Sequence, residues 1–200
     1  MDKDNLDLDK CLEEAKAFHG ELCAGSILGT RIAILGLKAI GISDPKGSDR
    51  KDIIVFVEMD RCATDAILAV TGCHPGKRTM KILDYGKMAA TFINLKTKKA
   101  VRVAAKNTEG NRKQTREEIE ANPHTNEYTM RPQEELFTVM DVLVDLKPED
   151  MPGKPIHIVT CSVCGERVMD VREVEKEGKI FCKPCAEGKF YYSPIEGITR

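Results

Sequence analysis

Neither sign of charge dominates this chain: 31 lysines and arginines face 32 aspartates and glutamates among 200 residues, for a net charge of −1. That balance gives no global pull toward nucleic acid or anionic lipid, and it argues against a dedicated nucleic-acid binder. A secretory leader is lacking as well, because MDKDNLDLDK is acidic and polar rather than basic and then apolar. No apolar run escapes charge for long enough to span a membrane. The best attempt, LCAGSILGTRIAILGLKAIGI at residues 22–42, carries Arg31 near its middle and Lys38 further on. A central arginine costs about 2.5–3.5 kcal/mol on insertion, so the run is expected to be a buried helix of a soluble protein. Repeats and low-complexity tracts are absent. A cytoplasmic protein without membrane contact is the expectation.

What is present can build a core. Hydrophobic residues make up 42% and charged residues 32%, enough for one ordinary domain with a small appendage. Eight cysteines in a chain without an export signal should be reduced thiols or metal ligands rather than a disulfide framework. They are unevenly spread, with four between positions 11 and 73 and four between 161 and 185.

Periodicity divides the chain. In LDLDKCLEEAKAFHG, Leu8, Cys11, Leu12, Ala15 and Phe18 recur at three and four, which predicts an amphipathic helix stopped at Gly20. A second helix is expected from about Ala24 to Ile40, ending at Gly41. DIIVFVEM predicts a buried strand. DRCATDAILAVTG predicts a helix with Asp60 as its N-cap and Gly72 as its stop. AATFINL and AVRVAAK predict a hairpin around TKK, a short helix is expected near 114–121, and RPQEELFTVMDVL resumes helical periodicity. KPEDMPGKP, with three prolines in nine residues, marks a boundary. The fold class expected is α+β: a mixed α/β core over residues 1–147, then a linker and a small zinc-finger domain of treble-clef or ribbon type over 148–200.

In that small domain, CSVCGERVMDVREVEKEGKIFCKPC sets Cys161 and Cys164 two residues apart and Cys182 and Cys185 likewise, with seventeen residues between the pairs. Each C-x-x-C can fold as a knuckle that aims two thiolates at one point. Two knuckles complete a tetrahedral S₄ site, the geometry of structural zinc. Spacing alone does not distinguish zinc from a four-cysteine iron site; zinc is the expectation, and metal binding should supply much of this domain's folding energy. The arrangement resembles the zinc finger of DksA/TraR type over about 25 residues.

The other constellation lies near the start. AFHGELCAGSILG sets His19 and Cys23 four apart amid small residues. On a continuous helix they would share a face. With Gly20 and Gly25 expected to break the helix, they would instead line a loop leading into a helix N-terminus, where a thiolate or an anion is favoured. Cys62 sits in the first turn of its helix after a strand, and a lowered thiol pKa is expected there too. His19, Cys23 and Cys62 would make three ligands with a fourth position open, the layout of a catalytic zinc. A metal-independent variant would use Cys23 as nucleophile and His19 as base. TGCHPGKRT fails as a P-loop in spacing and context. Lys77 remains a candidate for holding an anionic group, whereas Cys73 and His74 are expected to be loop residues and Cys11 core. His124 and His157 show no partners nearby.

FHGELCAG-x-x-x-G, VEMDRCATDAI and TGCHPGKRTMKILDYGKMAATF, in this order, resemble the formylmethanofuran dehydrogenase E-subunit family across about 75 residues. His19, Cys23, Cys62, Asp65, Gly72, Cys73, Gly76, Lys77 and Gly86 match; Glu21 and Ala24 stand where His and Pro are frequent. The resemblance implies an intertwined α+β homodimer with a cavity near the His and Cys positions, and a C-terminal zinc finger is a familiar appendage. It also implies association with a larger redox enzyme complex of one-carbon metabolism whose tungsten- or molybdenum-pterin centre lies in other subunits. Two functions follow as expectations. One is a zinc protein with a structural four-cysteine zinc and a second metal and small-molecule site. The alternative is a non-catalytic accessory subunit or regulator whose finger binds a protein, less readily nucleic acid, since REVEKEGK alternates its charges. The small residues Gly25, Ser26, Gly29 and Ala33 recur at helical spacing and suggest close packing, as in a dimer.

Overall fold

A computed structural model describes residues 6–107, 115–121, 127–193 and 195. The chain divides into two compact units, Met1–Asp145 and Leu146–Arg200.

In the first unit, helix α1 spans Leu8–His19 and buries Cys11, Leu12 and Ala15, as the three-and-four spacing requires. Asp7 caps its start by accepting from the Lys10 N–H, and Gly20, at φ 95°, ends it by donating to the Lys16 carbonyl. Only glycine adopts that left-handed conformation without strain. Helix α2 spans Ala24–Ala39. Gly25 therefore lies inside its first turn and does not break it. Strand β1 (Ile53–Val57), helix α3 (Cys62–Thr71) and strand β2 (Met80–Ile82) form a crossover unit in which β1 and β2 run parallel, with Val55 opposite Met80. A 3₁₀ turn at Pro75–Lys77 connects α3 to β2. The hairpin β3 (Ala89–Asn94) and β4 (Ala100–Ala105) adds antiparallel to β1. Short helices α4 (Arg116–Ala121), α5 (Glu127–Met130) and α6 (Gln133–Leu136) precede strand β5 (Phe137–Asp141). The sheet order is β2-β1-β3-β4-β5.

Two local expectations give way, and one strand was not expected. Helical periodicity in RPQEELFTVMDVL continues only through Leu136; Phe137–Asp141 pairs with β4 instead, Val139 opposite Val103. Its aromatic and β-branched residues suit that edge, and alternation had been hidden within the three-and-four pattern. The N-cap of α3 is Arg61, not Asp60, and it makes no side-chain cap bond. Strand β2 carried too short an apolar run to be seen in sequence.

The small-residue stripe of α2 is used within the chain. A Cβ on Gly29 would stand 2.6 Å from the Ala63 Cα and carbonyl oxygen of α3, and one on Gly36 would stand 2.1 Å from the Phe92 ring of β3. Backbone thus approaches α2 from α3, and an aromatic ring approaches it from the sheet. The close approach expected from this stripe is made by α3 at Gly29. Phe92, Ile32, Leu37, Ile53, Val55 and Ile67 are among the residues fully enclosed between the helices and the sheet.

The second unit pairs β6 (Ile158–Thr160) with β7 (Arg167–Met169) and β8 (Val174–Lys176) with β9 (Lys179–Phe181), then ends in the short helix α7 (Lys183–Glu187). Mixed helix and sheet with a separate four-cysteine region make the fold class α+β. Among the described residues, no helix is long and apolar enough to cross a membrane.

Candidate metal centres

The order of elements in the second unit explains how its cysteines converge. Cys161 and Cys164 sit on the knuckle between β6 and β7, where Gly165, at φ 74°, donates back to the Cys161 carbonyl. Cys182 caps α7 and Cys185 lies in its first turn. The four Sγ atoms lie within 4.8 Å of one another. Cys164 Sγ is 3.9 Å from Cys182 Sγ, close to the edge of about 3.8 Å that a tetrahedron with zinc–sulfur bonds of about 2.3 Å requires. Backbone N–H groups of Cys164 and Cys182 hold the Cys161 thiol down at about 6. Hydrogen bonding to Cys182, with burial, pushes Cys185 up to about 12. Thiols this close cannot all ionise alone, and a soft divalent cation resolves the conflict.

The first unit gathers a second group at the C-terminal end of β1. His19 is the last residue of α1, Cys23 the N-cap of α2 and Cys62 the first residue of α3. One ligand atom from each lies within 4.8 Å of the other two. Cys23 Sγ accepts from the Ser26 N–H at 3.3 Å, and Ser26 Oγ accepts from the Cys23 N–H at 2.9 Å, a reciprocal cap that fixes the sulfur at the helix start. His19 Nδ1 is 2.8 Å from Asp65 Oδ2. Nε2 is then the ring nitrogen left for a metal. A Cβ on Gly25 would lie 3.1 Å from the Cys62 Cβ, 3.6 Å from Cys23 Sγ and 3.8 Å from Cys62 Sγ, so the missing side chain keeps space beside both sulfurs. The donor set, one imidazole and two thiols, fits zinc.

The Cys62 thiol departs from expectation. Burial, followed by its hydrogen bond with Cys23 and that neighbour's charge, pushes it up rather than down. Burial first, and the second sulfur after it, outweigh the position at a helix start.

Other predicted residues fall elsewhere. Lys77 is exposed on the 3₁₀ turn beyond the C-terminal end of α3. Thr79, two residues later, already pairs with Val55 through the Val55 N–H, so Lys77 lies at the N-terminal end of β1. The site is at the other end, and the structure does not bring Lys77 to it. Cys73 is buried, which pushes its thiol up to about 11, and Cys11 is likewise core, also at about 11. His74 opens the same turn, its N–H donating to Thr79 Oγ1. His157 does have a partner, Glu173 Oε1 at 2.7 Å from Nε2. His124 lies outside the described residues. Sequence reasoning gave Asp65 no role, although it is among the residues that match the family resemblance and lies three residues from Cys62 along one helix face.

Residues 18–151 match the family described as FmdE, molybdenum formylmethanofuran dehydrogenase operon. Residues 156–189 match the prokaryotic DksA/TraR C4-type zinc finger, so the four-cysteine group is a zinc site. A probable S-adenosyl-L-methionine-binding protein of Archaeoglobus fulgidus is 37% identical over 97 residues, 48% of this chain and 26% of the relative. The chain thus spans about a quarter of that relative's length. A solved FmdE-like protein of the tungsten formylmethanofuran dehydrogenase type, from Syntrophus aciditrophicus, aligns at a TM-score of 0.56 and 21% identity, covering 92% of this chain and 95% of the other. At that identity the likeness is one of fold.

Proposed function

Because the chain belongs to the FmdE family, we propose that it is a two-zinc protein whose second zinc, on His19, Cys23 and Cys62, meets a small molecule. The zinc on Cys161, Cys164, Cys182 and Cys185 is structural in this reading. The observation that supports it most is the convergence of three ligand atoms within 4.8 Å beside a carboxylate-bound histidine. Three protein ligands leave a fourth position open, as in catalytic zinc sites. When bound there, zinc supplies Lewis acidity toward a carbonyl or a bound water, chemistry suited to one-carbon or amide substrates. Asp65 takes the Nδ1 proton of His19 into a hydrogen bond and so presents Nε2 as a donor. The Ser26 N–H steadies the Cys23 sulfur. Gly25 leaves room for an incoming ligand. Without metal, the same residues form an Asp65–His19–Cys23 line in which His19 serves as base to Cys23. Eight free cysteines fit a reducing compartment, and the cytoplasm is the location this reading implies.

Cobalt substitution tests the open position. Added imidazole or a hydroxamate should shift those visible bands of the cobalt protein that disappear in Cys62→Ser. Bands that ignore both ligands would contradict an accessible core metal.

One observation favours a second reading. Phe190, Tyr191 and Tyr192 stack edge to face at 5.5 and 5.0 Å just after the finger, and Tyr191 is 99% exposed. Exposed aromatics of this kind are common anchors of protein interfaces. The accessory role follows: a core that pairs with a second copy, and a finger that docks a larger redox enzyme complex of one-carbon metabolism, as the family's description suggests. Tyr191→Ala should then abolish co-purification of that complex while leaving the metal content unchanged.

A further inference from the structure

We propose that Cys23 and Cys62 are a redox-active dithiol, which peroxide closes into a disulfide and thiol reductants reopen. The proposal deepens the two-zinc reading and rests on it only for the zinc that the closure would release; the dithiol itself rests on where the two sulfurs lie. They come from the starts of two different helices, 39 residues apart in sequence, and the folded chain sets them side by side. Their Sγ atoms lie within 4.8 Å. A disulfide brings sulfurs to about 2.05 Å, so the gap closes by less than about 3 Å, within reach of side-chain rotation. No Cβ on residue 25 stands beside the pair to hinder that rotation.

Access separates this pair from the core cysteines, and an incomplete ligand set separates it from those of the finger. Cys23 and Cys62 are half-buried, open enough for a molecule the size of hydrogen peroxide. Cys11 and Cys73 are 0% and 2% exposed, enclosed in the core away from solvent. The four finger cysteines supply a complete set of four ligands for one zinc, whereas the core set has only three protein ligands. An open coordination position leaves its thiolates more reachable by an oxidant.

The chemistry balances in two steps. The Cys23 sulfur, steadied at the start of α2, attacks one peroxide oxygen. The O–O bond breaks, hydroxide leaves and takes a proton as water, and Cys23 becomes a sulfenic acid. The Cys62 sulfur then attacks the Cys23 sulfur and displaces the hydroxyl, which leaves as a second water with the Cys62 proton. Two thiols lose two electrons and two protons, and peroxide is reduced to two waters. Neither sulfur of the disulfide can act as a thiolate ligand afterwards. His19 alone would not retain the metal.

The test uses the full-length protein as purified, with zinc counted before oxidation. Hydrogen peroxide is added in small steps, released zinc is followed with a chromogenic chelator, and unreduced peptides are mapped by mass spectrometry. The first product expected is a Cys23–Cys62 linked peptide two hydrogens lighter than its parts, formed as one zinc equivalent leaves. Dithiothreitol with added zinc should reverse both. In Cys62→Ser the link should vanish and Cys23 should proceed to the sulfinic acid. Oxidation of finger cysteines while Cys23 and Cys62 stay free thiols would overturn the proposal. A chain that starts with one zinc and still forms the link would overturn the core zinc and uphold the dithiol.

Discussion

Asp65 Oδ2 lies 2.8 Å from His19 Nδ1, tying the first turns of α3 to the last residue of α1. Two elements distant in sequence thereby fix one imidazole, and α3 also carries Cys62. The pair is polar and partly open, with His19 17% and Asp65 44% exposed, so its value lies in orientation more than in stability.

Asp65→Ala should therefore weaken metal binding at the core site by about 10–100-fold. The melting temperature should barely move. Competition against a chromogenic chelator measures the first quantity and thermal denaturation the second; a large loss of stability with unchanged affinity would assign Asp65 to the scaffold instead.

Gly25 and Gly29 should separate site from fold. A Cβ at residue 29 would sit 2.6 Å from the Ala63 backbone, which cannot rotate away, so Gly29→Ala should cost about 1–3 kcal/mol. At residue 25 the nearest atom is the Cys62 Cβ at 3.1 Å, and the two sulfurs stand further off. Gly25→Ala should leave the fold intact and reduce core metal content. Denaturant melts and elemental analysis of both variants check the contrast.

Glu58 supplies a pH dependence. It accepts two hydrogen bonds from Arg102, Nε at 2.6 Å and Nη2 at 2.8 Å, and this pairing holds its carboxyl below the usual carboxylate range. A lowered folded-state value stabilises the protein above the unfolded value of about 4.3, and the contribution is lost as pH falls through the folded value. Glu58→Gln should cost about 1–3 kcal/mol at neutral pH. It should also flatten the decline of stability in acid. A parallel decline in variant and wild type would contradict the pairing.

Chelation should act first on the second unit. Short hairpins and a five-residue helix bury little apolar surface, so the four-cysteine zinc supplies their stability. Prolonged exposure to a strong chelator should open residues 158–187 to proteolysis while α1–α3 and the sheet stay protected. Cleavage beginning in the first unit would be the contrary result.

Much of this was legible beforehand, and the exceptions have physical causes. Cys161, Cys164, Cys182 and Cys185 declare themselves because each pair is local and the geometry of a knuckle is fixed by two intervening residues. The bounds of α1 and α2 follow from Gly20 and from apolar spacing. His19, Cys23 and Cys62 could be nominated one by one, but their meeting depends on how α3 crosses back over β1. Asp65 matched the family resemblance, but its role stayed hidden because its partner is 46 residues away. Lys77 looked useful because it flanks a glycine-rich turn able to hold an anion; the ten residues of α3 carry it to the far end of the sheet. The strand Phe137–Asp141 was missed because its pattern fits two periods, and only pairing with β4 decides between them. Gly29 and Gly36 announced close packing without saying what approaches, which turned out to be Ala63 and Phe92.

The central claim is a second metal in the first unit, and elemental mass spectrometry of the full chain, purified without added zinc, tests it most directly. The account predicts two zinc per chain, falling to one in Cys23→Ser and in Cys62→Ser. One zinc per chain, unchanged by either substitution, would contradict it and leave His19, Cys23 and Cys62 as a thiol and imidazole cluster without a metal.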